Sequence, residues 1–438
     1  MSALARYFLA MGCCVGGYDK TETALTEKLA KEGVTIHYQD DSSLIEDVFK
    51  SKKNTLVIIT PAIPKNHSEW NFFKEEGFEI LKRSQVLGQI TQLNKSIGVA
   101  GTHGKTTISS MISHVFKYCE VPFTAFLGGI SKDLGSNYYH DIDSEITVIE
   151  ADEYDRSFLE LKPTIATVSA IDPDHLDIYG TKEEMQQTFK QYLHKNIKKN
   201  GIGIIHSSLS GILGNHFKTY SIEDVSADYH AVNFRVEKAE FLADFKWSGN
   251  EIKDVKIGLP GIHNMENALL AFAVAIENGI SAKLIKEAIG KYTGVERRFD
   301  IHIQSDDLIY IDDYAHHPEE IKKLVASVRK MYPDKTILGI FQPHLFSRTL
   351  DFADDFARSL ELLDELLLLE IYPARELPIP GVNSKMLFER INMNSKTLCS
   401  KKQLTYYVGA SKCNVVLTIG AGDIGAEVDN LIEFLLKR

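Results

Sequence analysis

The sequence predicts an α/β protein with three domains: an incomplete N-terminal Rossmann-like domain, a central P-loop ATPase-like domain with a mixed sheet, and a C-terminal Rossmann-like domain. The chain of 438 residues is too long for one ordinary core, and at about 150 residues per domain it suggests three. Short apolar runs alternate with helical patterns in both end segments, which is typical of α/β folds. A glycine-rich loop near residue 100 joins one apolar run to a helix.

Composition narrows the class of protein. The net charge is −11, from 60 acidic and 49 basic residues, which argues against bulk nucleic-acid binding. No apolar run approaches the roughly 18 residues of a membrane span. Five cysteines without a CxxC pair indicate a reducing compartment, and we expect a cytoplasmic protein.

The first predicted domain covers residues 1–84 and begins with a helix at 2–12. A strand near Cys14–Tyr18 ends at Asp19, and Asn54–Thr60 is a buried-strand candidate. An acidic residue at such a strand end often holds a ribose or base in nucleotide-binding units. A helix cap or turn residue is the alternative for Asp19.

The central predicted domain, residues 85–296, carries the sequence Val99-Ala-Gly-Thr-His-Gly-Lys-Thr-Thr107 between a strand and an amphipathic helix. Glycines let backbone N–H groups approach a phosphate, and the helix N-terminus and lysine supply positive charge. A hydroxyl after the lysine suits Mg²⁺. Val99 occupies the expected first glycine position, so a plain glycine turn with a surface lysine is the alternative.

Carboxylates follow the next strands of this domain. Glu150 and Glu153 end one strand, and Asp172 and His175 follow another. Parallel strands present such residues at one edge of a sheet. We therefore expect them to converge on the loop Gly101–Thr107, called the phosphate loop below, and to suit Mg²⁺. The alternative is that they are strand-end caps and surface charges.

Two further features of the central segment remain open. The glycine stretch Leu127–Asn137 would either close over a ligand or form plain turns. Asn264 and Asn267 share one face of a predicted helix, where they would read a purine edge or cap the helix.

The third predicted domain, residues 297–438, has four strand ends that carry polar clusters, which predicts a doubly wound sheet with a ligand crevice. The cluster Gly420–Gly425 is literally G-x-G-x-x-G, but the 13 residues after it leave no room for the second strand of a dinucleotide site. His316 and His317 are adjacent and point apart, so we expect one to pack and one to reach the site rather than a metal centre.

These parts imply ATP use coupled to a second substrate. A kinase, an NTP-driven ligase and a nucleotide-gated binding protein all fit the residues alone. Arginines near the domain junctions would neutralise a transferring phosphate or a substrate carboxylate. They are Arg297, Arg298, Arg348 and Arg375.

Four motifs together resemble the Mur ligase family over essentially the whole chain: Gly101–Thr107, Glu150–Glu153, Asp313–Pro318 and His344–Thr349. The resemblance implies ATP-dependent ligation of L-alanine to the carboxylate of UDP-N-acetylmuramate through an acyl phosphate, in peptidoglycan precursor synthesis. It implies ATP and Mg²⁺ as cofactors and a cytoplasmic monomer or dimer. The alternatives are a ligase that recycles a tripeptide onto the same sugar nucleotide, and a non-catalytic truncated nucleotide-binding copy.

The resemblance also assigns roles. The expected catalytic residues are Lys105, His175 and Arg348. The expected ATP-binding residues are Gly101, Thr102, His103, Gly104, Lys105, Thr106, Thr107, Asn264, Asn267 and Arg298. The expected Mg²⁺ ligands are Thr106, Glu150 and His175. The expected substrate-binding residues are Ser2, Asp19, Ser136, Asn137, Tyr314, His344 and Arg348.

The sequence departs from the family pattern in three places. The family opens with a strand and a Gly-x-Gly-Gly-x-Gly-Met-Ser loop for the UDP diphosphate, whereas this sequence starts at Met1-Ser2, so the first domain is expected to lack that strand and loop. Asp172 stands where Glu is common, and Leu345 stands where Arg is common.

Overall fold

A computed structural model describes residues 1–60, 63–172, 176–237, 240–374 and 376–437. The chain divides into two compact units, which are described separately. Unit 1 comprises 1–234, 243–256 and 267–292, and unit 2 comprises 235–242, 257–266 and 293–438.

Unit 1 opens with alternating helices and short strands. These are α1 (Ser2–Ala10), β1 (Gly16–Tyr18), α2 (Ala24–Lys31), β2 (Thr35–His37), β3 (Leu56–Ile59), α3 (Ser68–Glu75), β4 (Glu79–Lys82) and α4 (Arg83–Leu93). β1 pairs with β2 and β3 with β4, both in parallel, as two separate sheets. β1 and β3 line a common cavity of about 170 Å³. The predicted helix and both predicted strands of this segment are confirmed.

A ten-stranded sheet follows along the chain. Its strands are β5 (Lys95–Ala100), β6 (Phe123–Ser131), β7 (Ser136–His140), β8 (Ile146–Glu150), β9 (Ile165–Val168), β10 (Ile202–His206), β11 (Lys218–Ser221), β12 (Tyr229–Glu237), β13 (Glu240–Trp247) and β14 (Asn250–Ile257). The order is β14-β13-β12-β11-β10-β9-β5-β8-β6-β7, with β6 and β7 antiparallel. The predicted mixed sheet is confirmed.

Helices cover this sheet. They are α5 (Lys105–Tyr118), α6 (Leu176–Tyr179), α7 (Lys182–Gln191), α8 (Ser210–Leu213), α9 (Ile262–Glu277) and α10 (Ala282–Lys291). The apolar stripe of α5 lies at helical spacing, and Ile108, Met111 and Phe116 are fully buried. Buried apolar area of this kind, at about 25 cal/mol per Å², holds α5 on the sheet and fixes the loop before it.

The glycine stretch at Leu127–Asn137 is neither a flap nor a simple loop. Gly128 and Gly129 lie inside β6, and β6 pairs antiparallel with β7 with Ser131 opposite Ser136. The prediction of a plain turn is correct only for the few residues between β6 and β7. A Cβ at Gly128 would lie 2.4 Å from Glu150 Oε2, so the glycine is needed for close approach.

Unit 2 contains a six-stranded sheet in the order β15-β16-β20-β17-β18-β19. Its strands are β15 (Asp300–Gln304), β16 (Ile309–Asp313), β17 (Ile337–Phe341), β18 (Glu365–Leu368), β19 (Lys396–Leu398) and β20 (Val415–Ile419). Its helices are α11 (Pro318–Met331), α12 (Phe346–Asp351), α13 (Ala353–Leu360), α14 (Ser384–Arg390), α15 (Leu404–Ala410) and α16 (Val428–Leu436). All strand pairs except β15–β16 are parallel, which confirms the doubly wound prediction.

The G-x-G-x-x-G cluster of unit 2 surrounds the guanidinium of Arg297. Arg297 Nη2 donates to Gly420 O at 2.5 Å, and Arg297 Nε donates to Asp312 Oδ2 at 3.2 Å. A Cβ at Gly425 would lie 2.5 Å from Arg297 Cζ. The glycines of this cluster therefore make room for an arginine side chain.

We predict that Gly425→Ala lowers the free energy of unfolding by about 1–3 kcal/mol, because the new methyl displaces the guanidinium from its hydrogen bonds. Urea denaturation followed by circular dichroism measures the change. Gly290→Ala in α10 is the control, since the nearest atom to its Cβ is 3.6 Å away. An equal effect of both substitutions would contradict the packing argument.

Candidate active site

The phosphate loop leaves β5 between two neighbouring parallel strands. Val99 is in register with Glu150 of β8, and Ala100 with Val168 of β9. Thr102 N–H donates to Ala170 O at 3.0 Å. Strand pairing therefore brings the ends of β8 and β9 to the two sides of the loop, as predicted from parallel topology.

Two glycines of the loop have backbones that other residues rarely adopt. Gly101 has φ +137° and Gly104 has φ +82°. A Cβ at Gly101 would lie 2.1 Å from Ser169 Oγ, and one at Gly104 would lie 2.8 Å from Asn267 Oδ1. Both positions thus require glycine. The second distance also places Asn267 against the loop.

Lys105 begins α5 and forms a buried ion pair with Glu153. Its Nζ donates to Glu153 Oε1 at 2.8 Å and to Gly101 O at 2.8 Å. The Glu153 side chain is 1% exposed. Burial acts to lower the pKa of Lys105, but Glu153, Glu150 and Asp152 outweigh it and the net shift is upward. Burial raises the pKa of Glu153. The ammonium is therefore held charged at the mouth of the loop.

The residues expected to hold Mg²⁺ offer suitable oxygen donors. Glu150 ends β8, and one of its carboxylate oxygens accepts from Gly128 N–H at 2.9 Å. Thr106 is buried in the first turn of α5. Within the described ranges no group of three or more His, Cys, Asp and Glu forms a metal cage. A hydroxyl and a carboxylate beside a phosphate site fit Mg²⁺, which binds through few protein ligands plus phosphates and waters.

Asp172 ties the other side of the loop to β9. Its N–H donates to Thr102 Oγ1 at 3.0 Å, and its carboxylate lies 3.2 Å from His103 Nε2. Tyr292 OH donates to Thr107 O at 3.4 Å. The predicted residue His175 lies outside the described residues.

Two predicted substrate residues of unit 1 meet directly. Asn137 Nδ2 donates to Ser2 Oγ at 3.0 Å, and Arg6 Nη1 donates to Asn137 Oδ1 at 3.0 Å. Ser136 Oγ accepts from the Tyr138 N–H at 3.1 Å. Asp19 follows β1 and its carboxylate accepts from Thr21 N–H at 3.2 Å, which is the geometry of a turn residue.

Unit 2 gathers a second polar cluster at the carboxyl end of β16. The guanidinium carbons of Arg297 and Arg298 lie 5.1 and 4.9 Å from the Tyr314 ring centroid. Asp313 accepts from Phe299 N–H and Ala315 N–H, each at 2.7 Å. Burial raises the pKa of Asp313 to about 6, although Arg298 and these N–H groups act in the opposite direction. These cation–π contacts orient Tyr314.

The neighbouring histidines His316 and His317 have different surroundings. His317 packs on Phe352 at a centroid distance of 4.7 Å, whereas His316 lies 5.4 Å from Tyr314 and 5.9 Å from His344. Burial lowers the pKa of His316.

His344 follows β17 and stacks on Tyr372 at 5.8 Å. Burial lowers the pKa of His344 to about 4, and His316 and Arg348 act in the same direction. Arg348 lies in the first turn of α12. Tyr314, His316, His344 and Arg348 thus belong to one cluster of aromatic and basic groups.

Asn264 lies in the first turn of α9, where its Nδ2 donates to Pro260 O at 2.7 Å. This bond runs from the side-chain amide to the backbone just before the helix, whereas an N-cap side chain accepts from the first N–H groups of the helix.

Sequence profiles of one family match three consecutive segments. The Mur ligase family catalytic domain matches 1–95, the Mur ligase middle domain matches 99–275, and the Mur ligase glutamate ligase domain matches 297–422.

The chain belongs to the Mur ligase family.

Relatives and solved structures agree with that assignment. A UDP-N-acetylmuramate–L-alanine ligase of Parabacteroides distasonis is 47% identical, over 100% of this chain and 95% of the relative. One of Flavobacterium psychrophilum is 48% identical, over 98% and 94%. The crystal structure of UDP-N-acetylmuramate-alanine ligase MurC from Thermotoga maritima matches with a TM-score of 0.84 and 27% identity, covering 100% and 96%. The predicted three-domain α/β fold is thereby confirmed.

A murein peptide ligase of Psychrobacter arcticus matches with a TM-score of 0.71 at 23% identity, covering 99% of this chain and 96% of that one, and shows the fold alone. Membership of the Mur ligase family makes this chain an ATP-dependent ligase. No helix in the described part of the chain is long and apolar enough to span a bilayer.

Sequence reasoning missed three residues that this Mur ligase places at its polar clusters. Glu153 was expected near the loop but not as the partner of Lys105. Arg297 was predicted only as one of several arginines near the domain junctions, and its contacts with the cluster Gly420–Gly425 were not predicted. Glu376 contacts the N-terminus of α12. Only Glu153 had a usable signal, since its strand-end position is visible in the sequence.

We predict that Glu153→Gln lowers the free energy of unfolding by about 3–5 kcal/mol, because it leaves the Lys105 ammonium buried without its partner. Urea denaturation measures this. Asp152→Asn removes the same charge from an exposed side chain and should cost less than about 1 kcal/mol. Similar losses in both variants would show that the buried pair is not responsible.

We also predict that His344 contributes to acid sensitivity. Its folded pKa is about 4 and its usual pKa is 6.5, so the unfolded chain takes up the proton first as pH falls. The stability that neutral His344 contributes is fully present above pH 6.5 and is lost between pH 6.5 and 4. Wild type should therefore lose more stability than His344→Asn between pH 7 and 4.5.

Urea midpoints of the two proteins across this range measure the difference. The opposite contribution of Asp313, whose pKa is raised, is present in both proteins and cancels in the comparison. Parallel pH profiles of the two proteins would refute the role of His344.

Proposed function

We propose that this Mur ligase joins L-alanine to the carboxylate of UDP-N-acetylmuramate at the expense of ATP, in the synthesis of the peptidoglycan precursor. The observation that carries the proposal is the full-length similarity, at 47% identity, to a protein of that name. The charged phosphate loop and the separate cluster of basic and aromatic groups support it, since the reaction needs a nucleotide site and an acceptor site.

The proposed reaction has two chemical steps. A lactyl carboxylate oxygen attacks the γ-phosphorus of ATP, the bond to the β-bridging oxygen breaks, and ADP leaves. The alanine amine then attacks the acyl carbon, the tetrahedral intermediate expels inorganic phosphate, and the amine proton is released. The protein supplies positioning and electrostatic stabilisation rather than a covalent nucleophile.

In this proposal the loop from Gly101 to Thr107 binds the triphosphate through its N–H groups, and Lys105 stabilises charge on the β- and γ-phosphates. The ion pair with Glu153 keeps Lys105 protonated and aligned before ATP arrives. Asn267, beside Gly104, contacts the nucleotide. Asn264 and Arg298 are proposed as further ATP contacts from the family resemblance.

When bound, Mg²⁺ would neutralise part of the charge on the phosphate oxygens. Thr106 and Glu150 are the proposed protein ligands, and the resemblance adds His175, which is outside the described residues. On the acceptor side, Tyr314, His344 and Arg348 orient the alanine. Neutral His344 is suited to accept a hydrogen bond from the amine, and Arg348 to pair with the alanine carboxylate.

The proposal includes a domain division at 1–84, 85–296 and 297–438, with Ser2, Asp19, Ser136 and Asn137 on the UDP-sugar side. It places the enzyme in the cytoplasm as a monomer or dimer. The recycling ligase and the non-catalytic copy are not favoured, because the 42–48% identical relatives carry the L-alanine ligase name.

Phosphate release by the purified chain tests the proposed function. We expect release that requires ATP, UDP-N-acetylmuramate and L-alanine together, that stops with EDTA and that returns with added Mg²⁺. Lys105→Met should reduce kcat/KM by about 10²–10³-fold, because it removes the charge on the phosphates. Lys385→Met changes a 73% exposed lysine and is the matched control.

Three outcomes would overturn the proposal. Release with a tripeptide but not with L-alanine would identify the recycling reaction. ATP binding without any turnover would identify a non-catalytic copy. Release that does not depend on UDP-N-acetylmuramate would indicate a different acceptor.

A further inference from the structure

The helix that carries Arg348 has no cap of its own. α12 begins at Phe346, and the residue before it is Leu345, whose side chain makes no capping hydrogen bond. The first N–H groups of a helix need acceptors, which Ser, Thr, Asp or Asn normally supply at this position. An apolar residue leaves that requirement to another part of the chain.

Glu376, in the connection after β18, meets the requirement. Its carboxylate accepts from Ser347 N–H at 3.0 Å and from the Ser347 hydroxyl. Although burial acts to raise it, these bonds and one from the Phe346 backbone hold the pKa of Glu376 below its usual value. A carboxylate is the favoured charge at a helix N-terminus.

The segment in front of α12 is held in a strained conformation. Leu345 has φ +72° and ψ 138°, a region that residues with a side chain seldom occupy. Its N–H donates to Tyr372 O at 2.9 Å, and its carbonyl accepts from Thr349 Oγ1 at 2.7 Å. The strain persists because contacts from both sides hold this residue, one of them from the same connection that carries Glu376.

We propose that Glu376 is a positioning residue for the amine-acceptor site, which takes a small zwitterionic amino acid. By holding the N-terminus of α12, Glu376 sets the direction of Arg348, one residue beyond Ser347, and of His344 immediately before Leu345. This role rests on the function proposed above. The Glu376 carboxylate already accepts hydrogen bonds from Ser347. Its proposed effect on the amino acid is therefore indirect, through the positions of Arg348 and His344.

Steady-state kinetics test the role. Glu376→Ala should raise the KM for L-alanine about tenfold while the KM for ATP stays within twofold of wild type. Glu376→Gln, which keeps one carbonyl oxygen for Ser347, should have a smaller effect. Glu370→Ala is the matched control, because it removes the same charge from an exposed residue of the same connection. A KM for L-alanine that does not change in Glu376→Ala overturns the proposal.

Hydrogen exchange gives a readout that does not need activity. Amides of 344–352 should exchange faster in Glu376→Ala than in wild type or Glu370→Ala. Unchanged exchange would show that the carboxylate does not hold the helix and would overturn the proposal. Faster exchange with unchanged KM for L-alanine would leave a structural cap only and would also overturn it.

The two proposals fail in different ways. Wild-type protein without alanine-dependent turnover overturns the proposed function and this positioning role together. Wild-type turnover with equal kinetic changes in Glu376→Ala and Glu370→Ala overturns the positioning role alone.

Discussion

A buried ammonium requires a counter-charge, and the loop between β5 and α5 is arranged around that requirement at Lys105. Glu153 provides the charge at 2.8 Å from a position that is 1% exposed. Glu153 can stand there because β8 runs parallel to β5 in a register that carries both strand ends to one edge. The glycines before Lys105 let the loop fold back, so that the carbonyl oxygen of Gly101 also accepts a hydrogen bond from the Lys105 ammonium. Strand register, loop conformation and charge are therefore coupled, and a change in one disturbs the others.

Much of this arrangement could be predicted from the sequence. The strand before Gly101, the helix after Gly104 and the carboxylates at the end of β8 follow local patterns that parallel topology converts into proximity. The identity of the residue that pairs with Lys105 could not be predicted from the sequence. Nothing in the sequence distinguishes Glu153 from Glu150 or Asp152 as the counter-ion of Lys105, because that depends on which side chain the twist of the sheet buries. Similarly, Gly128 was interpreted as part of a loop, since a glycine pair looks the same in a turn and in a strand that a carboxylate must approach.

In unit 2, too, the sequence did not predict which residues contact one another over long distances along the chain. The polar strand ends of its sheet were predicted, but their internal connections join residues far apart in sequence, such as Arg297 with Gly420 and Ser347 with Glu376. The glycine cluster after β20 illustrates the difference between a motif and its use. In dinucleotide-binding proteins this glycine spacing makes room for a pyrophosphate. In this chain it makes room for the guanidinium of Arg297, which the fold brings next to the glycines.

The strand order of unit 2 has a consequence for how the protein is made. β20, at residues 415–419, is the last strand among the described residues, yet it lies between β16 and β17 in the sheet. During synthesis the earlier strands leave the ribosome without the partner that joins them. The edges of β16 and β17 that pair with β20 remain open until β20 has emerged, because these parallel pairs join residues far apart in the sequence. The sheet of unit 2 is therefore expected to close only after β20 has emerged, and until then its open strand edges are exposed to aggregation.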